Sequence, residues 1–243
     1  MKIITIVRTL NEERNIDRYC SSHQNIADEI FIADGGSTDR TVEIAKSYPK
    51  VKVKPFTERM ELENGMWRNP DWKHINFLIE WAESEKADWI LFGDCDTTPN
   101  DVLQRDARAK LLETTHPFFM VVVLCLFGEG FHFPKLAKPG NRHDYQAGMW
   151  GWQASEGIRT IGEDLVPHFV FIRKSKEKKI IDFDKERSLT LLPPYCRLHR
   201  NCQTEELTQK RVDYYRESGL IPDMVDPEKF GGHIEELPEW AID

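Results

Sequence analysis

Apolar positions along the first hundred residues switch between two periods. "KIITIV", "DEIFIAD", "VKVKPF" and "DWILFG" are short, β-branched-rich apolar runs that read as strands, the second of them closed by "GGSTD". Between them lie amphipathic stretches. "NEERNIDRYCSSH" predicts a helix with Asn11 as candidate cap and acids in its first turn. "RTVEIAKSY" predicts a second, capped by Ser37, Thr38 or Asp39, and "DWKHINFLIEWAES" a third, with Ile75, Leu78, Ile79 and Ala82 on one stripe. Residues 57–70 read as irregular. After Asn100 come a helix, "DVLQRDARAKLLE", and the apolar run "FFMVVVLCLF". Residues 128–160 read as a long loop region, followed by a strand in "VPHFVFIRK", a charged stretch, the segment "LTLLPPYCRLHR" and a late helix, "TEELTQKRVDYYRES". Strand–helix alternation predicts a mainly parallel sheet with helices on both faces, which binds ligands beyond the carboxyl ends of its strands.

Charge is uneven. Residues 1–129 carry 16 basic and 22 acidic side chains, residues 130–211 carry 15 and 10, and residues 212–243 carry 2 and 9. The middle block suits either an ordinary solvated surface or an anionic acceptor. Five cysteines without a CxxC pair fit free thiols in a reducing compartment. The start, "MKIITIV", is not a signal peptide, and the longest apolar run, of ten residues, is too short to span a bilayer. A cytoplasmic protein with no obligate membrane anchor is expected.

The predicted strand ends carry the chemistry. "RTLNEE", "ADGGSTD" and "GDCDTTP" each follow a strand, which gathers Thr9, Glu12, Asp34, Asp94 and Asp96 at one edge. Asp34 can accept from a base N–H or a ribose hydroxyl, and Gly35 and Gly36 let backbone approach a ligand. Asp94 and Asp96, were the strand to continue, would share a side and repel unless a cation sits between them. A divalent ion there would offset a diphosphate.

The stretches "IITIVRTLNEERNIDRYC", "ADEIFIADGGSTDRTVEIA", "NFLIEWA" and "ADWILFGDCD" resemble the donor half of family 2 glycosyltransferases of the GT-A fold, most of all the small soluble members that build lipopolysaccharide cores. The resemblance implies an α/β nucleotide-diphospho-sugar transferase with a mainly parallel central sheet flanked by helices. It implies a donor-binding half over residues 1–100, an acceptor-binding half over 101–218 and an acidic tail over 219–243. It places Asp34 on uracil, Asp94 on the ribose and Asp96 on a Mn or Mg ion that bridges the diphosphate, with Thr9 and Glu12 lining the nucleoside pocket. Asn76 matches the asparagine of the family's "QRN" stretch. Here that stretch is "HIN", so Arg68 or Lys73 would supply the missing cation.

The second half is matched more loosely. The "VFIRKSKEKKIIDFDKERSL" stretch implies Glu186 as catalytic base, with Lys185 in place of a histidine, whereas "IGED" offers Glu163 and Asp164 as the acidic pair of other members. Glu186 and Asp164 both stand as candidates. "LPPYCRLHRNCQTEELTQKRVDYY" resembles the family's closing segment and implies His199 as a ligand of the metal or diphosphate. "MWGWQ" puts Trp150 and Trp152 two residues apart, so both rings would share a strand face and stack a sugar or base, or pack in the core. Phe131, His132, Lys135, Lys138, Arg142 and His143 add cations and aromatics suited to an anionic acceptor. The implied reaction is metal-dependent, inverting transfer from a UDP-sugar to an acceptor hydroxyl, either on a saccharide or lipid core or on a hydroxymethylated pyrimidine of viral DNA. Rival readings are a nucleotidyltransferase, which "RTLNEERN" disfavours for want of a glycine, and a non-catalytic nucleotide-sugar binder.

Overall fold

The structure is a computed structural model and describes residues 1–61, 67–127, 130–132, 147–162, 169–173, 181, 186–201 and 233–234. The chain runs β1 (Ile3–Thr9), α1 (Ile16–His23), β2 (Glu29–Asp34), α2 (Thr41–Lys46) and β3 (Val51–Pro55). It continues through a short hairpin of β4 (Met60–Glu61) and β5 (Trp67–Arg68) to α3 (Asp71–Ser84), β6 (Trp89–Phe92), β7 (Thr97–Pro99) and α4 (Asp101–Glu113). Then come β8 (Phe118–Phe127), β9 (Gly130–His132), β10 (Ala147–Gln153), β11 (Ile158–Gly162), β12 (Phe169–Arg173), β13 (Ser188–Asn201) and β14 (His233–Ile234).

Strands β3, β2, β1 and β6 lie side by side and parallel. Helices cover both faces, so the period-two alternation of β1 divides two cores rather than a core from solvent. Ile3 and Val7 pack with Tyr19 of α1 and Leu103 of α4, while Ile4 and Ile6 pack with Ile75, Leu78 and Ile79 of α3. Two helices start later than expected. Asn11 is left-handed (φ 57°) and does not cap α1. Its backbone N–H donates to Ser37 Oγ and its Oδ1 accepts from Thr38 N, both at 2.8 Å, which ties the loop after β1 to the loop after β2.

The second half departs from the sequence reading. Part of the expected 128–160 loop is the strand β10, which inserts antiparallel between β6 and β8, and β11 pairs with β12. Two glycines weaken the strand signal of β10, yet Gly151 is there for contact. A Cβ on it would stand 2.5 Å from Leu91 Cδ2 and 2.7 Å from the Ile90 carbonyl. The register of β10 on β8 slips between Met149 and Gly151, so Trp150 is the extra residue of a bulge. Trp150 and Trp152 therefore point to opposite faces. Trp150 packs near Phe119 in one core and Trp152 near Phe171 in the other, each fully buried. Neither ring is available to stack an acceptor, which corrects that assignment. Cys20, Cys95 and Cys196 are buried. Among the described residues no helix is long and apolar enough to cross a membrane. The late helix, the 219–243 tail apart from β14, and Lys135, Lys138, Arg142 and His143 lie outside the described residues.

Candidate functional site at the strand ends

Register decides which side chains meet. Thr9 pairs with Asp34, so β1 and β2 end level, whereas β6 ends earlier, Phe92 opposite Ile6, and Arg8 stands beside the segment that follows Phe92. The acidic pair is not a continuation of β6. Thr97 N donates to the Asp94 carbonyl at 3.0 Å, closing a β-turn that turns Cys95 into the core, 4% exposed, and lifts Asp94 outward, its side chain 59% exposed. Arg8 Nη1 pairs with Asp71 at 2.6 Å and Nη2 with Asp94 at 3.3 Å. Burial pulls the Arg8 pKa down, but Asp94 and Asp71 outweigh it and hold it above its ordinary value. This cation at the centre of the strand ends escaped the sequence reading, which looked for it at Arg68 and Lys73. Lys73 lies 3.8 Å from Glu58, and Arg68 pairs through its backbone with Met60.

Asp34 is 7% exposed and already bonded by its own chain. Its Oδ2 accepts from Gly36 N (3.0 Å) and Ser37 N (2.8 Å), and its Oδ1 accepts from Thr9 Oγ1 (3.0 Å) and Ser37 Oγ (2.5 Å). Those contacts fill the four acceptor sites of a carboxylate. The glycine pair also serves the chain itself. A Cβ on Gly35 would lie 2.2 Å from Asn69 Oδ1, and Asn69 is held in place by an Nδ2 bond to the Glu58 carbonyl at 2.8 Å. Gly36 has φ +100°, a conformation that favours glycine, with the Arg59 guanidinium above it. Arg59 stacks 3.9 Å from the centre of the Trp67 ring, which is 41% exposed. The described part of the 57–70 stretch thus lies over the second strand end, through Arg59 and Asn69, and places an exposed indole there.

The other expected residues separate into two groups. Thr9, 2% exposed, supports Asp34, and Glu12 belongs to the same loop, its Oε2 accepting from Asn15 Nδ2 at 2.8 Å. His199 stands opposite Thr97 in register, adjoining the acidic turn. Asn76 does not line the site. Its Nδ2 donates to the Thr160 carbonyl and its Oδ1 accepts from Thr160 N, both at 2.8 Å, so the amide joins α3 to β11. Glu186 is also misplaced as a base. Arg173 grips it through two bonds, at 2.9 and 3.1 Å, and pairs with Glu156 as well. Ser188, just beyond Glu186, pairs with Phe118, which is level with Trp152 and hence with Ile90. That is the amino-terminal half of β6, the far edge of the sheet from Asp94. Glu163 and Asp164 lie outside the described residues.

Beneath the site His74 Nε2 lies 2.8 Å from the Ala33 carbonyl and its ring stacks on Phe56. Burial lowers its pKa to about 4, so it is neutral at physiological pH. The residues at the turn fit a hard divalent cation in part. Asp94 and Asp96 supply oxygen donors, yet among the described residues no three His, Cys, Asp or Glu side chains gather to enclose an ion. Magnesium-type ions commonly take one or two carboxylates and complete their shell with phosphate and water. The turn therefore suits an ion that shares its shell with a bound diphosphate.

Comparison with known proteins agrees with this geometry. Residues 5–179 match Glycosyl transferase family 2. An uncharacterized glycosyltransferase of Rickettsia prowazekii is 46% identical over 145 residues, 58% of this chain and 44% of its own length. An uncharacterized protein of Mycobacterium tuberculosis is 26% identical over 168 residues, 67% of this chain and 39% of its own. The chain thus spans less than half the length of these curated relatives. Among solved structures, S. aureus TarS 1-349 in complex with UDP-GlcNAc superposes with a TM-score of 0.56 at 18% identity, over 94% of this chain and 69% of that one.

Proposed function

The chain belongs to glycosyl transferase family 2, and from that premise we propose that it transfers a sugar from a UDP-linked donor to an acceptor hydroxyl with inversion, aided by Mn or Mg. The observation that carries this reading is the convergence of Asp34, Arg8 and the Asp94–Asp96 turn at three adjacent strand ends of a parallel sheet. The fold neighbour TarS was solved with UDP-GlcNAc, and a UDP-sugar is the donor class we assign to this cleft.

In this reading the uridine lies over the end of β2, beside Thr9, Glu12 and the exposed Trp67. Asp34 accepts the base N–H as the Ser37 hydroxyl gives up its bond, since of the two side-chain donors at Asp34 Ser37 is half-buried and Thr9 is 2% exposed. Asp94 takes the ribose, and Asp96 and His199 would hold the cation. When bound, that ion neutralises charge growing on the departing diphosphate. Arg8 supplies a second positive charge at the same place by exchanging its contact with Asp94 for a phosphate oxygen. Asp164 takes the proton of the acceptor hydroxyl while that oxygen bonds to the anomeric carbon, and UDP leaves with the electrons of the broken bond. We prefer it to Glu186 because β11 ends at Gly162 on the side where Trp72 and Asp71 meet the strand ends, as the Thr160 Oγ1 bond to the Trp72 carbonyl indicates. Two acceptor classes fit the basic 130–211 block: an anionic saccharide or lipid core, and a hydroxymethylated pyrimidine in DNA.

The test is a donor-hydrolysis screen of UDP- and GDP-sugars with Mn, Mg or EDTA, followed by acceptors with the best donor. Metal-dependent release of UDP that D96N and D164N abolish is expected. Metal-independent turnover, or UDP binding without turnover of any donor, would refute the proposal. A salt-sensitive gel shift separates the DNA acceptor from the saccharide.

A further inference from the structure

Arg197, on β13, is 7% exposed and lies under the acidic turn. Its Nη1 donates to the Phe92 carbonyl at 3.2 Å and its Nη2 to the Met149 carbonyl at 3.4 Å, which ties the last residue of β6 to β10. Gly93, between Phe92 and the first aspartate, gives it room, since a Cβ there would stand 3.3 Å from Nη1. The guanidinium lies 5.8 Å from the centre of the Trp150 ring, so the bulge that buries Trp150 also walls this cation in. Among the described residues no carboxylate forms an ion pair with Arg197, and its Nε has no hydrogen-bond partner. An arginine guanidinium is charged at neutral pH.

A buried, unpaired cation is costly, and a neutral side chain of similar length would fill the space more cheaply. The charge therefore calls for an anion nearby, and the open surface above it is the turn of Asp94 and Asp96. We propose that Arg197 is a positioning residue of the donor site: it fixes the end of β6 through two carbonyls and holds a positive potential beneath the turn. That potential favours an incoming diphosphate and opposes a divalent cation arriving alone. Nucleotide and metal are thereby made to bind together rather than the metal first. This rests on the donor-site reading above.

The sign of the effect separates it from simple loosening of the turn. Removing the charge should strengthen binding of the lone cation and weaken binding of the nucleotide, whereas a disordered turn weakens both. R197Q removes the charge and keeps a donor for one carbonyl; R197K keeps the charge. For R197Q we expect Mn2+ alone, followed by electron paramagnetic resonance, to bind about threefold to tenfold tighter, and UDP in EDTA, followed by calorimetry, about threefold to tenfold weaker. For R197K both constants should return toward those of the unaltered protein even where Tm falls. Shifts of both ligands in the same direction, or no shift in R197Q, overturn the inference alone. An unaltered protein that binds neither Mn2+ nor UDP overturns the donor-site reading and this inference with it.

Discussion

Replacing Gly35 by alanine tests whether the segment before α3 is locked onto the second strand end. The new Cβ would stand 2.2 Å from Asn69 Oδ1 and 3.3 Å from the Thr9 carbonyl. Ordinary contact begins at 3.4 Å, so the overlap with Asn69 is about 1.2 Å, while Thr9 belongs to the central strand and cannot yield. Backbone strain is not involved, because Gly35 lies outside the left-handed region. Asn69 must move and give up its bond to the Glu58 carbonyl, at about 1 kcal/mol. Overpacking adds about 1–3 kcal/mol. The sum, about 2–4 kcal/mol, lowers Tm by roughly 5–12 °C for a chain of this size. N69A alone should cost about 1 kcal/mol. In its presence G35A should cost under about 0.5 kcal/mol, giving a coupling near 2 kcal/mol in a denaturant double-mutant cycle. Additive costs, or a G35A protein as stable as the original, would refute the lock. The same pair should weaken UDP binding only where Asn69 is displaced.

Three further outcomes follow from the geometry. E186Q should leave turnover within about twofold, because Glu186 sits with Arg173 at the far edge of the sheet; a loss of a hundredfold or more would restore it as the base. N76A should lower unfolding free energy by about 2–3 kcal/mol through its lost bonds to Thr160, while donor KM stays within about twofold; the reverse pattern would return Asn76 to the site. Burial lowers the pKa of His23 to about 3 and of His74 to about 4, below the value near 6.5 of an unfolded histidine. The unfolded chain therefore takes up protons first, and this stability, complete above about pH 6.5, falls as pH drops toward 4. Denaturation at pH 7 and pH 5 should differ by about 2–4 kcal/mol, and a flat profile would mean that these imidazoles are not buried neutral.

The strand–helix alternation, the three acidic strand ends and the resemblance to the family were all legible in the chain, because each depends on local order. Periodicity and apolar runs report burial residue by residue, and a parallel sheet puts the carboxyl ends of all its strands on one edge. What a side chain faces across the fold is a different kind of fact. "MWGWQ" promised two rings on one face until a single bulge against β8 turned Trp150 over. Asn76 and Glu186 matched family positions in order, but their partners, Thr160 and Arg173, lie 84 and 13 residues away and claim them for packing. The glycines after Asp34 looked like room for a ligand, and the structure fills that room with Asn69. Arg8 and Arg197 carry no motif at all; one meets Asp94 from 86 residues away and the other holds Phe92 from 105. Short-range pattern determined the layers and the edge where chemistry can occur. The charges that act there depend on register between strands distant in sequence, which only the folded sheet decides.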